Sequence, residues 1–124
     1  PTLIHPSANV SKYAQLGRGV VVHMNTVVHP DVTVGDNTVL SYNVSVTHST
    51  HIGKNCYLAF GVMLGAYTIV EDFVFIGIGA IVISGKVDSI GTFASIGAGA
   101  VVTKSVASYE CVAGNPAKFI KTLK

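Results

Sequence analysis

The side chains of this 124-residue chain best suited to moving a proton near neutral pH are its five histidines, His5, His23, His29, His48 and His51. A neutral imidazole is basic enough to take a proton from an attacking amine or hydroxyl and can return it afterwards. The settings of the five differ. His5, His23 and His29 each directly follow an apolar residue, Ile4, Val22 and Val28, where an extended strand turns the next side chain outward. His5 and His23 stand 18 residues apart. His48 lies two residues after Val46 in Val46-Thr47-His48-Ser49-Thr50-His51-Ile52-Gly53, at or near a corner, while His51, just before Ile52, reads as a surface residue.

The element that must position these residues is written in a six-residue register. Ile4, Val10, Leu16, Val22, Val28, Val34, Leu40, Val46, Ile52, Leu58, Leu64, Val70, Ile76 and Val82 are all apolar. This spacing fits neither a 3.6-residue helix nor a simple alternating strand, and it marks a solenoid. Four places after each anchor comes a small or β-branched residue, from Ala8 and Ala14 through Thr38 and Cys56 to Val74 and Ala80. One large and one small inward side chain per six residues describes a narrow prism with three flat sides per turn. The geometry then repeats every 18 residues, which predicts that His5 and His23 stack on one face about 4.8 Å apart.

The register resembles that of the hexapeptide-repeat acyltransferases, whose copies here include Leu16-Gly17-Arg18-Gly19-Val20, Val34-Gly35-Asp36-Asn37-Thr38, Ile52-Gly53-Lys54-Asn55-Cys56 and Ile96-Gly97-Ala98-Gly99-Ala100. The resemblance implies an all-β, left-handed parallel β-helix of about six coils over residues 1–106. Handedness comes from the resemblance alone, because parallel crossovers are otherwise right-handed. Residues 107–124 are expected to form a turn at Gly114-Asn115-Pro116 and a short capping helix from Ala117 to Lys124, with Phe119, Ile120 and Leu123 facing one way. In the sugar-modifying branch of the family a Rossmann-like domain precedes a stretch similar to Ile4-His5-Pro6-Ser7-Ala8, so an upstream domain of that kind is expected.

Within that family the chain is most similar to bacterial sugar O- and N-acetyltransferases of the sialic acid and bacillosamine type. They carry a stretch similar to Val46–Gly53 in which the histidine is the base, and the match puts that role on His48. An acid commonly follows that histidine, whereas here Ser49 does. The same resemblance places Tyr57, Ile78 and Ala98 along the path of acetyl-CoA, with Gly77, Gly79, Gly97 and Gly99 letting its pantetheine arm run close to the backbone. Gly114-Asn115-Pro116-Ala117-Lys118 matches a coenzyme A-pocket motif in the family, and Lys118 suits a coenzyme phosphate. The acceptor would attack the thioester directly, and a turn glycine such as Gly65 would offer an oxyanion amide.

Composition narrows the classes further. Hydrophobic residues make up 49% of the chain and charged residues 11%, more apolar than a lone prism needs, so some flat faces are expected to pack against other subunits, and the family resemblance implies a homotrimer. The net charge is +2 without a basic run, which does not fit a nucleic-acid partner. The near-continuous apolar stretch from Phe73 to Ile83 is too short to cross a membrane. Cys56 on an interior position and Cys111 beyond the repeats are not expected to pair, as in a reducing cytoplasm. Val82 to Ile90 is eight residues where six are the rule, so Ser84-Gly85-Lys86-Val87-Asp88-Ser89 must bulge from a corner. The resemblance implies an acetyl-CoA-dependent acetyltransferase of a sugar or nucleotide sugar, and no metal is expected. The alternatives are a hydratase of the γ-carbonic-anhydrase type with zinc held by three histidines, and a non-catalytic trimerisation module.

Overall fold

The computed structural model describes residues 1–124. Three parallel sheets form the faces of a solenoid of about six turns, consistent with the left-handed β-helix. The first face begins with Leu3–Ile4, Val21–Val22, Val39–Leu40, Tyr57–Leu58, Phe75–Ile76 and Ser95–Ile96. The second runs from Asn9–Val10 to Val101–Val102 and the third from Gln15–Leu16 to Ser89–Ile90. In the repeats each strand is two residues long; the outer residue comes first and the anchor second. Leu3 pairs with Val21 and Ile4 with Val22, and the same step of 18 recurs until the insertion, beyond which Ile69 pairs with Ser89 and Ile81 with Val101.

The interior is the anchor column predicted from the register. Val22, Val28, Leu40, Val46, Leu58, Leu64, Ile76, Ile90 and Ile96 are at most 1% exposed, each contributing about 1.5–3 kcal/mol by burial. The small residues four places on are buried too, and the threonines among them are satisfied. Thr26 Oγ1 donates to the Ser41 carbonyl at 2.6 Å, Thr38 to Gly53 at 2.7 Å and Thr50 to Gly65 at 2.8 Å. A buried hydroxyl without such a partner would be costly. Glycine after an anchor has a different cause: a Cβ on Gly35 would stand 2.6 Å from the Gly53 carbonyl carbon of the next coil.

The corners turn on positive φ. The second residue of almost every corner has φ near +60°, including Asn25, Asn43, Asn37, Asn55 and Ser49, residues whose short polar side chains tolerate that region. We call the corner after the first face the first corner, the one after the second face the second, and the one after the third face the third.

The C-terminal segment departs from expectation. The capping helix expected over Ala117 to Lys124 is absent, and Lys118–Thr122 is instead a strand paired antiparallel to Glu110–Ala113, extending the first face. Eight residues are too few for an isolated helix to hold together. A strand satisfies the open backbone edge of Glu110–Ala113, which a helix could not, and Phe119, Ile120 and Thr122 favour extended backbone. The turn at Gly114-Asn115-Pro116 is present and joins the two strands. No helix of the structure is long and apolar enough to cross a membrane.

Candidate active site

His48 lies on the second corner with its ring exposed. The strand Ser45–Val46 ends just before it, and Ser49 turns the chain with φ +60° while its amide donates to the Pro30 carbonyl one coil below at 3.2 Å. The side-chain partner of His48 is Ser49, with Nδ1 and Oγ 3.2 Å apart. When Nδ1 carries the proton and donates to Ser49, Nε2 holds the free lone pair of a base. The hydroxyl permits that tautomer but does not enforce it, because it can also donate.

One coil above, the ring of Tyr67 stands perpendicular to that of His48, with centroids 5.3 Å apart and planes at 89°. The two-residue insertion falls on this same corner: Ser84 and Gly85 stack above Ala66 and Tyr67, and Ser84 Oγ accepts the Ala66 amide at 2.9 Å. Val87 is drawn into the interior at 2% exposure. The bulge therefore lies on the corner of the histidine, two coils above it, as the 18-residue steps from Val46 through Leu64 to Val82 imply.

Of the other histidines, His5 and His23 follow the paired Ile4 and Val22 and so lie on successive coils of the first corner, as the register predicts. His5 is exposed with Nδ1 2.9 Å from Ser7 Oγ, and His51 is exposed with Nδ1 on Thr33 Oγ1. His23 and His29 are half-buried, and the His23 ring tilts over Tyr42 at 4.7 Å. No three His, Cys, Asp or Glu side chains of the chain are grouped to hold a metal ion. Cys56 is buried and Cys111 half-buried, both free, and desolvation pushes the Cys56 thiol up.

The residues expected along acetyl-CoA gather on a different edge. Ile78 and Ala98 occupy the first corner on successive coils, each between two glycines, Gly77 with Gly79 and Gly97 with Gly99. Gly114 continues that column, its carbonyl accepting the Val101 amide at 2.9 Å, with Asn115 and Pro116 exposed beside it and Lys118 exposed beyond. Tyr57 projects from the first face and stacks on Phe75 at 5.9 Å and 3°. Gly65 does not offer the oxyanion amide: it is buried and donates to the Val82 carbonyl at 2.9 Å. The amides of Ile78 and Ala98, by contrast, donate no hydrogen bond within the chain.

Within one chain the second face separates His48 from this edge. A hollow of about 280 Å³ lies elsewhere again, at the C-terminal end of the prism among Val102, Val106, Val112 and Phe119. It is the open end of the interior column. Sequence reasoning passed over Tyr67, although the register held the signal, since Tyr67 stands one 18-residue step from Ser49. It also passed over a stacked ladder on the third corner, Phe73 on Phe93 at 4.8 Å and Phe93 on Tyr109 at 5.2 Å.

Residues 13–48 match the family described as bacterial transferase hexapeptide (six repeats), and residues 31–66 match the hexapeptide repeat of succinyl-transferase. The chain belongs to the hexapeptide-repeat family. No curated protein matches it by sequence. Among solved structures, a histidine-to-asparagine variant of perosamine N-acetyltransferase from Caulobacter crescentus, in complex with CoA and GDP-perosamine, superposes with a TM-score of 0.93 at 33% identity, over 97% of this chain and 56% of that one. The acetyltransferase domain of PglB from Neisseria gonorrhoeae, in complex with acetyl coenzyme A, gives 0.93 at 32% identity over 97% and 58%. WeeI from Acinetobacter baumannii gives 0.91 at 29% identity over 94% and 57%. The hexapeptide-repeat chain thus spans little more than half the length of these relatives.

Proposed function

We propose that this chain is the acetyl-transferring part of an acetyl-CoA-dependent sugar acetyltransferase, acting on the amino group of a nucleotide-linked sugar. The observation that carries the reading is the superposition on a sugar N-acetyltransferase crystallised with CoA and its nucleotide sugar. The residues present fit such a donor. Gly79 and Gly99 have nothing within 4 Å of where a Cβ would stand, so the first corner is open beside the unpaired Ile78 and Ala98 amides. Those amides would donate to carbonyl oxygens of the pantetheine arm or to the oxyanion of the thioester, and Lys118 would meet a phosphate. The donor supplies an acetyl group activated as a thioester.

In this reading His48 Nε2 takes a proton from the acceptor amine as its nitrogen attacks the thioester carbonyl, and the proton passes to the departing thiolate. Because His48 and the glycine corner lie on opposite edges of the second face, the site would be completed between prisms, as in the homotrimer expected from the family resemblance. Exposed apolar side chains favour such packing: Leu3, Tyr57 and Phe75 on the first face, with Met24, Phe60 and Ile78 on the first corner, are each 42–61% exposed.

Calorimetric titration with acetyl-CoA, with assembly mass measured on the same sample, tests the donor and the trimer. Binding at one site per chain in a trimer is the expected result. His48→Ala should keep fold and donor binding while lowering turnover of a nucleotide amino sugar on the order of 10² to 10⁴ fold. Unchanged turnover would remove His48 from the mechanism.

A further inference from the structure

We propose that Tyr67 is a positioning residue for His48, its aromatic ring stabilising the imidazolium that forms when His48 takes up a proton; the inference rests on the reading of His48 as the base. A base that accepts a proton becomes a cation, and the hydrogen bond His48 makes is to the neutral Ser49 hydroxyl at 3.2 Å. Nothing in that contact favours the charged form as a carboxylate would. The Tyr67 ring supplies the missing interaction, for its centroid lies 5.3 Å from that of His48 at 89°. A cation within about 6 Å of a tyrosine face is attracted by the negative face of the π system. The other charged groups on this corner within two coils of His48 are Lys12 and Asp31 on the coils below and Lys86 and Asp88 in the insertion above.

The backbone argues that this contact has a purpose. Tyr67 has φ +60° in a column whose other positive-φ members, Asp31, Ser49 and Gly85, carry small side chains or none. A bulky side chain there is strained. At 70% exposure Tyr67 offsets little of that strain by burial. Phe93, equally strained, lies between two stacked rings, whereas the ring beside Tyr67 is that of His48.

The test replaces Tyr67 with Phe and with Asn in the full chain and follows the His48 ring protons by NMR as pH is varied. Tyr67→Phe should behave like the parent. In Tyr67→Asn the imidazolium form should be disfavoured roughly 3- to 30-fold relative to the parent, while thermal stability stays level or rises because asparagine suits φ +60°. Turnover of acetyl-CoA with GDP-perosamine should fall by a similar factor in kcat, with KM little changed. A His48 titration identical in Tyr67→Asn and parent overturns the proposal, whichever acceptor the enzyme uses. A loss in Tyr67→Phe equal to that in Tyr67→Asn also overturns it, because the hydroxyl rather than the ring would then be responsible. Should His48→Ala leave turnover intact, the base assignment falls, and the NMR comparison still decides whether Tyr67 stabilises the imidazolium.

Discussion

Up to Asn55, the corners are turned by Gly19, Asn25, Asp31, Asn37, Asn43, Ser49 and Asn55, all with positive φ; above it the same corners are turned by Gly61, Tyr67, Phe73, Gly79, Gly85, Phe93, Gly99 and Tyr109. The interior does not change between the two halves, since Val28, Leu40 and Val46 below are as buried as Leu64, Ile76 and Ile96 above. Only the outside of the prism changes. On the first corner asparagine gives way to glycine, which opens the surface. On the third it gives way to aromatics, and on the second Tyr67 comes to stand beside His48. The lower half turns its first and third corners mostly on asparagine, and the upper half replaces it with glycine on the first and with aromatic rings on the third.

The sharpest way to break this comparison is to attack what the halves share. Leu64 is 1% exposed in the middle of the column, and Leu64→Asp would place an unpaired charge in a dry interior, costing several kcal/mol. The expected outcome is loss of cooperative folding by circular dichroism and urea titration. Melting like the parent would mean that the anchor column is not a continuous core.

An exchange of corner residues should have a smaller and more specific effect. Gly79→Asn installs on the upper first corner the residue that Asn43 supplies on the lower one, and both positions have positive φ. The fold should therefore survive. The new side chain would fill the open space beside Ile78, and acetyl-CoA affinity should drop at least about tenfold, some 1.4 kcal/mol, by calorimetry. Asn43→Gly, the reverse change two coils below, should leave that affinity within about twofold. Equal effects from both would show that the glycines of the upper corner serve only the turn.

Much of this architecture is legible in the residues themselves. The anchors, the small residues after them and the insertion after Val82 follow from spacing, because a prism this narrow admits one inward pattern. What spacing does not carry is how the outside is used. Phe73 and Phe93 read as strand residues by propensity, yet they turn corners, because stacking on a neighbouring coil overrides local preference. Phe119 and Ile120 read as one face of a helix, yet the open edge of Glu110–Ala113 draws them into a strand. The residues of the first corner were grouped by resemblance, and the structure gathers Ile78, Ala98 and Gly114 in one column; it also leaves His48 across the second face from them, which a linear pattern cannot express. Gly65 looked available as an amide donor until the ladder hydrogen bond to Val82 was in view.

The finest distinction lies between the two kinds of strained aromatic in the upper half. Phe93 is the middle ring of the third-corner ladder, stacked on Phe73 at 4.8 Å and on Tyr109 at 5.2 Å. Each aromatic pair is worth about 0.5–1.5 kcal/mol beyond burial, while relief of a strained turn returns about 1–3 kcal/mol. Phe93→Asn sets these against each other, losing two stacks and part of the burial of a ring 43% exposed while gaining a residue suited to φ +62°. The ladder should win narrowly, with a loss of about 1 kcal/mol read from urea midpoints at one protein concentration. That would place Phe93 with the stabilising residues and separate it from Tyr67, whose change to asparagine should lower no midpoint. A midpoint that instead rises in Phe93→Asn would put both aromatics in the same class, strained turns kept for what they face outside the prism, and would make the third corner a surface to examine for a partner.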